Sequence, residues 1–280
     1  MEVRNLYIYG MSNVISLINS IIGEPPKVCH SSYMDGGHNE VIVDAGIHKS
    51  KHDRFSYHLF YTIFNPAFMK QTGGFGYYHH GRGEFIENVD FCNLFRNEIQ
   101  KIPTNLITIG CVNGNEQNIL SITKNKFPND FIYLGYDETI LIDREPIPQK
   151  VALDIVDSIS RGTQDFYNKI IEYFPHADNL ILPPPPPINF DDEYVQIYNE
   201  GFKEDAKEYG LNPLSVRKKI HKLYTENLAN KVNKSYKHVH FPTSFLDEFG
   251  AVPKKLAQGV THGNVEFATI YFDQIEQEII

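Results

Sequence analysis

The chain has 280 residues, 41% of them hydrophobic and 22% charged, which suits one large domain or two small ones and excludes wholesale disorder. Lys and Arg number 26 against 35 Asp and Glu, a formal net charge of -9. That sign disfavours nucleic acid or an anionic membrane as partner of the whole chain, and leaves only a local basic patch open.

In chain order, Leu6 to Tyr9 reads as a buried strand and Asn13 to Ile22 as an amphipathic helix. Val41 to Val43 and Tyr57 to Phe64 read as strands, and Val89 to Ile99 as a helix. Leu106 to Ile109 and Phe131 to Leu134 are further strands, and Lys150 to Phe174 is one long helix or two. Asn179 to Leu182 is a strand that five consecutive prolines, Pro183 to Pro187, bring to an end, because proline lacks a donor and fixes φ. Those prolines then form an extended loop or a rigid spacer, although the residues after Pro187 are not linker-like in composition. Asp191 to Tyr209 and Val216 to Val232 read as helices, His238 to Phe241 as a short strand and Val265 to Ile279 as a closing helix. Alternation of this kind predicts an α/β three-layer sandwich with a mostly parallel central sheet, as one domain over residues 1–280. Ligand sites in such folds lie at the carboxyl ends of the strands.

Three widely spaced cysteines, Cys29, Cys92 and Cys111, form no CxxC pair and suggest neither a disulfide framework nor a zinc knuckle. A reducing compartment is the simplest expectation. With no apolar run of membrane-spanning length, the chain is expected to be soluble and cytoplasmic.

Two turns carry candidate chemistry. Gly10-Met11-Ser12-Asn13 joins the first strand to the first helix. A serine there presents its hydroxyl at the sheet edge, beside backbone N–H groups and the positive end of the helix dipole. The alternative is that Ser12 or Asn13 simply caps the helix. Thr261-His262-Gly263-Asn264 opens the last helix. Its histidine can act as the base that a serine nucleophile needs, or lie in a surface turn capped by Asn264.

Taken in order, these blocks resemble the SGNH, or GDSL-like, hydrolase and acyltransferase superfamily, whose sandwich is flavodoxin-like. Gly10 to Asn13 is similar to its first block, and Leu180-Ile181-Leu182-Pro183-Pro184-Pro185 to its strand ending in prolines. His238 to Phe241 with Phe245 to Gly250 looks like its strand and the loop after it, and Gln258 to Phe267 like its final DGxHxN block. The resemblance implies Ser12 as nucleophile and oxyanion donor, and His262 as general base. It leaves Gly74, Gly110 and Asn113 as rival further donors.

Two positions depart from the pattern. Asp137 stands where the family has an asparagine after the Phe131 to Leu134 strand, and an ionised carboxylate cannot donate to an oxyanion. Asp143-Arg144 echoes an acidic variant of that block at longer spacing. Gly259 stands where the family has the aspartate that orients the histidine. A backbone carbonyl, or Asp247 or Glu248 from the preceding loop, are the candidates to replace it; an inactive site is the other outcome.

Weaker signals complete the chain. Thr72 to Glu84, rich in glycine and aromatics and containing Tyr77-Tyr78-His79-His80, reads as a mobile aromatic loop near the sheet edge. His238 and His240 have the spacing to share a strand face, more simply as a metal-free pair. Arg217, Lys218, Lys219, Lys222 and Lys231 read as a solvated helix face. No HExxH, P-loop or dinucleotide fingerprint occurs, so neither cofactor nor metal is expected. The expected activity is ester hydrolysis or O-acetyl transfer on a small-molecule or glycan ester, without nucleic acid or membrane partners and with the oligomeric state open. A binding or assembly module on the same fold is the alternative, and a sugar-nucleotide or phosphate enzyme ranks last.

Overall fold

The computed structural model describes residues 3–11, 13–26, 41–50, 56–64, 76–79, 84–112, 115–198 and 202–279. Its first strand, β1 (Val3–Gly10), runs into helix α1 (Asn13–Ile22). Strands β2 (Val43–Lys49) and β3 (Ser56–Ile63) come next, then a hairpin of β4 (Gly76–His79) and β5 (Glu84–Glu87). They are succeeded by α2 (Val89–Ile99), β6 (Leu106–Cys111) and α3 (Asn115–Ser121). The two-residue strands β7 (Asn129–Asp130) and β8 (Glu145–Pro146) precede α4 (Gln149–Ile170). After β9 (Asp178–Ile181) come α5 (Asp192–Tyr198), α6 (Lys203–Tyr209) and α7 (Leu214–Lys231). The chain closes with β10 (Lys237–His238), β11 (Ala257–Gln258), β12 (His262–Gly263) and α8 (Val265–Glu278).

Six strands form the central sheet in the order β10-β9-β6-β1-β3-β2. All neighbours are parallel except the β2–β3 pair, so the mostly parallel α/β sandwich is the observed architecture. The middle strand explains the layering. On β1, Leu6 and Ile8 face one core with α1 and α8, and Tyr7 and Tyr9 face the other with α2, α4 and α7. All four are fully buried, as a strand covered on both faces must be.

Several elements differ from the sequence expectation. The strand placed at Val41 to Val43 lies at Val43–Lys49 instead. It is the antiparallel edge, half exposed and bulged between Asp44 and Gly46, so it lacks the apolar run that marks an interior strand. Of the helix expected over Asp191 to Tyr209, the described residues show two helices, Asp192–Tyr198 and Lys203–Tyr209, with 199–201 outside the described residues. Tyr77 to His79 and Glu84 lie in the paired strands β4 and β5 rather than in an irregular loop, whereas 72–75 and 80–83 lie outside the described residues.

The larger correction concerns Phe131 to Leu134, which joins no sheet. Burial alternates along it, with Phe131 and Tyr133 inward and Ile132 and Leu134 exposed at 42% and 72%, and Leu134 already belongs to the turn that bridges Tyr133 to Asp137. Its inward side lies on α7, where Phe131 O accepts from Lys219 Nζ at 2.9 Å and the Tyr133 hydroxyl donates to Glu226. The period-two pattern marked alternating burial, but a helix and a turn take the place of a pairing strand. Asp137 therefore comes after no sheet strand. It lies half-exposed at the end of a turn, bridged to Tyr133, and accepts from Thr139 N and Oγ1, at 3.1 and 2.6 Å.

The basic helix face is corrected in part: Lys218, Lys222 and Lys231 are at least partly exposed, as a solvated face requires, but two of its members are not. Arg217 is 3% exposed and Lys219 is 0% exposed. Lys219 Nζ lies 2.9 Å from Asp130 Oδ1, and Arg217 donates to Asn212 O and Ile188 O with its guanidinium over the Phe190 ring. Arg144 is buried too, donating to Phe127 O and Asn212 Oδ1, so Asp143-Arg144 serves the interior of this layer. No described helix is long and apolar enough to cross a membrane.

Candidate functional site at the carboxyl ends of the strands

The first strand ends against the sixth. Gly10 pairs with Cys111, and a β-carbon at position 10 would sit 2.2 Å from the Cys111 carbonyl oxygen and 2.5 Å from the Val14 side chain. Glycine is thus required for the chain to pass from β1 into α1. Met11 N–H donates to Cys111 O and Phe64 N–H to Gly10 O, pinning both strands that flank β1. Ser12, the candidate nucleophile, is outside the described residues; its chain neighbours Met11 and Asn13 lie just after β1 and at the start of α1.

The hairpin that carries His262 approaches α1 from the other end of the sequence. Strands β11 and β12 pair Gln258 with His262 and Ala257 with Gly263, leaving Gly259, Val260 and Thr261 as a three-residue loop. Gly259 adopts φ +77° and its carbonyl accepts from the Tyr194 hydroxyl at 3.2 Å. Val260 is buried in the core shared by α1 and α8. Asn264 closes the hairpin through Leu256 O and Lys255 O, and its side chain caps α8 by accepting from Phe267 N–H.

Helix α1 and this hairpin are joined directly. Ser16 Oγ, near the start of α1, donates to Gly263 O at 3.0 Å. The two adjoining depressions in this surface share Pro185, Gly263 and Phe267. One reaches Ser16 and Cys111, the other Thr261 and His262. They adjoin one another where β6 and β9 end, beside α1 and the β11–β12 hairpin.

The proline run is their wall. Proline nitrogens donate nothing, so the carbonyls of this stretch take side-chain donors from both layers. Tyr271 of α8 donates to Pro183 O, and His221 Nε2 of α7 lies 2.8 Å from Pro184 O. Phe267 stacks on Phe241 with ring centroids 4.3 Å apart, closing the apolar floor.

His262 is half-buried in this groove, and burial lowers its pKa. The neutral imidazole that can accept a proton is therefore the form present at pH 7. The atom beside Nδ1 is Thr261 Oγ1, at 2.8 Å. Asp247 is committed elsewhere: it accepts from Phe249 N, Ala251 N and Asn189 Nδ2, each at 2.9 Å. Burial opposes its ionisation, but these hydrogen bonds outweigh it and hold the carboxyl below its usual range. Glu248 is exposed in the next turn.

The oxyanion candidates divide. Asn113 and Gly74 lie outside the described residues. Gly110 lies within β6 between Tyr9 and Ile181, and its carbonyl accepts from Leu182 N–H. A β-carbon there would come within 2.6 Å of both Tyr9 and Tyr167, so ring packing accounts for the glycine. His238 and His240 do share a face, their rings stacked at 6.4 Å. Among the described residues no group of three His, Cys, Asp or Glu is arranged to hold a metal. Sequence inspection missed Ser16 and Thr261, because hydroxyls four residues from one motif and one residue from another leave no spacing signal.

No family model matches the chain, and a comparison with curated proteins finds no match. Among solved structures it is similar to the periplasmic domain of a lipopolysaccharide acetyltransferase from Salmonella ser. Paratyphi A. The TM-score is 0.43 and the identity 16%, over 99% of this chain and 84% of that one.

Proposed function

We propose that the protein is a serine-dependent acyl-ester enzyme, a hydrolase or an O-acetyltransferase, acting on a small-molecule or carbohydrate ester through an acyl-enzyme on Ser12 with His262 as base. The observation that carries this is the Ser16–Gly263 hydrogen bond. It sets the start of α1 against the His262 hairpin at the carboxyl edge of the sheet, although 247 residues separate the two partners in the chain. In the first half-reaction the Ser12 hydroxyl oxygen bonds to the ester carbonyl carbon, its proton passes to His262 Nε2, and the alcohol leaves with that proton. Water or an acceptor hydroxyl then takes the acyl group by the reverse proton path. The α1 N-terminus supplies N–H groups and a positive dipole end for the transient oxyanion.

The test is turnover of a chromogenic acetate ester by the wild type and by Ser12→Ala, with fluorophosphonate labelling alongside. Loss of at least ~10³-fold in kcat and of the label is expected. Equal slow release by both proteins, with no label on Ser12, would overturn the assignment. It would also favour the second reading, a binding module, which Gly259 in place of an orienting aspartate supports.

A further inference from the structure

We infer that Thr261 is the positioning residue for His262, supplying with a neutral hydroxyl the hydrogen bond that a triad takes from a carboxylate; this rests on the acyl-ester activity proposed for Ser12 and His262. Three observations bear on it. Thr261 Oγ1 lies 2.8 Å from His262 Nδ1, the ring nitrogen that must carry hydrogen if Nε2 is to act as base. The loop holding Thr261 is fixed at each end, by Tyr194 on Gly259 O and by the Gln258–His262 pairing, with Val260 anchored in the core. Position 259 is built as a left-handed turn at φ +77°, so the backbone that would carry an aspartate has another shape here.

Threonine suits the task. Its β-branch restricts χ1, so a fixed loop gives a fixed hydroxyl. Through the cycle the Nδ1–H···Oγ1 bond holds the ring, the Ser12 proton moves to Nε2 and on to the leaving alcohol, and Thr261 neither gains nor loses a proton. A neutral acceptor stabilises the imidazolium less than a carboxylate does. The base so formed is weaker and its protonated form shorter-lived, which suits transfer to an alkoxide.

The experiment uses the full chain with Thr261→Val and Thr261→Ser. Steady-state turnover of the acetate ester is combined with ¹⁵N NMR of the His262 ring in protein carrying labelled histidine. The Nδ1–H tautomer is expected in the wild type and in Thr261→Ser, and a shift toward Nε2–H in Thr261→Val. Thr261→Val should lose about 100-fold in kcat, the lower end of what general-base catalysis contributes, with KM unchanged. Thr261→Ser should retain turnover and the pH profile. A wild-type ring protonated on Nε2 at pH 7 overturns the inference whatever the activity, as does a Thr261→Val protein with wild-type kcat and pH profile. Should Thr261→Val fail to fold, the wild-type tautomer and the Thr261→Ser profile decide. Absence of Ser12-dependent turnover tells against the proposed function instead, since the tautomer is read without substrate.

Discussion

Two polar regions of this molecule use their side chains in opposite ways. Beneath α7, a buried layer spreads each charge over several partners. Lys219 reaches Asp130 Oδ1, Phe131 O and Thr139 O, while Asp130 also accepts from Phe131 N and Leu141 N. At the sheet edge, His262 sits in an apolar groove walled by prolines and Phe267, and the atom beside Nδ1 belongs to a neutral hydroxyl. Charges that are saturated in this way fix the structure and do little chemistry. An imidazole whose neutral form burial favours, with a neutral hydroxyl beside Nδ1, is in the form that can take up a proton.

The comparison is broken most directly in the saturated layer. Lys219→Met leaves the Asp130 carboxylate buried without its countercharge, and should cost about 3–5 kcal/mol in urea unfolding. A loss below about 1 kcal/mol would show that the layer is not the structural element described.

A second test concerns histidines on the two sides of the groove wall. Burial pushes His221 down to about 4, with His240 and Lys222 adding to the effect, although the Pro184 carbonyl works against it. Its folded value lies below the unfolded value of about 6.5, so the unfolded chain binds more protons between the two. Stability is then complete above about pH 6.5 and falls as the pH drops toward 4. His221→Gln keeps a donor for Pro184 O and removes the titration. It should recover about 1–3 kcal/mol of the stability that the wild type loses at pH 4.5, after allowance for the partial exposure of the ring. Identical acid melting curves for the two proteins would show that His221 has no part in the acid sensitivity.

The smallest effect is expected from Ser16→Ala. Loss of its bond to Gly263 O should cost about 0.5–1.5 kcal/mol, and sharpens the contrast if turnover falls by more than stability does. A change in stability alone would make the bond a mere staple between α1 and the hairpin.

The periodicity of α1, α2 and α4 and the apolar runs of β1, β3, β6 and β9 were legible in sequence, because those elements bury continuous stripes or both faces. The groove was half legible. The glycine before Ser12, the proline stop after β9 and the capped turn after His262 are local signals, and local geometry accounts for each of them. The Nδ1 partner of His262 was not legible, since neighbouring threonines are common and a hydroxyl becomes a positioning group only when a loop fixes it.

Residue order alone therefore settled most of the helices and the interior strands, because these depend on neighbours within a few positions. Packing settled the rest. Phe131 to Leu134 packs on a helix instead of joining the sheet, and Lys219 is buried because Asp130, 89 residues away, meets it. The approach of α1 to the His262 hairpin was decided in the same way, by two stretches from opposite ends of the chain that share one core. Burial and charge pairing are properties of the assembled interior, and no window of sequence contains both partners.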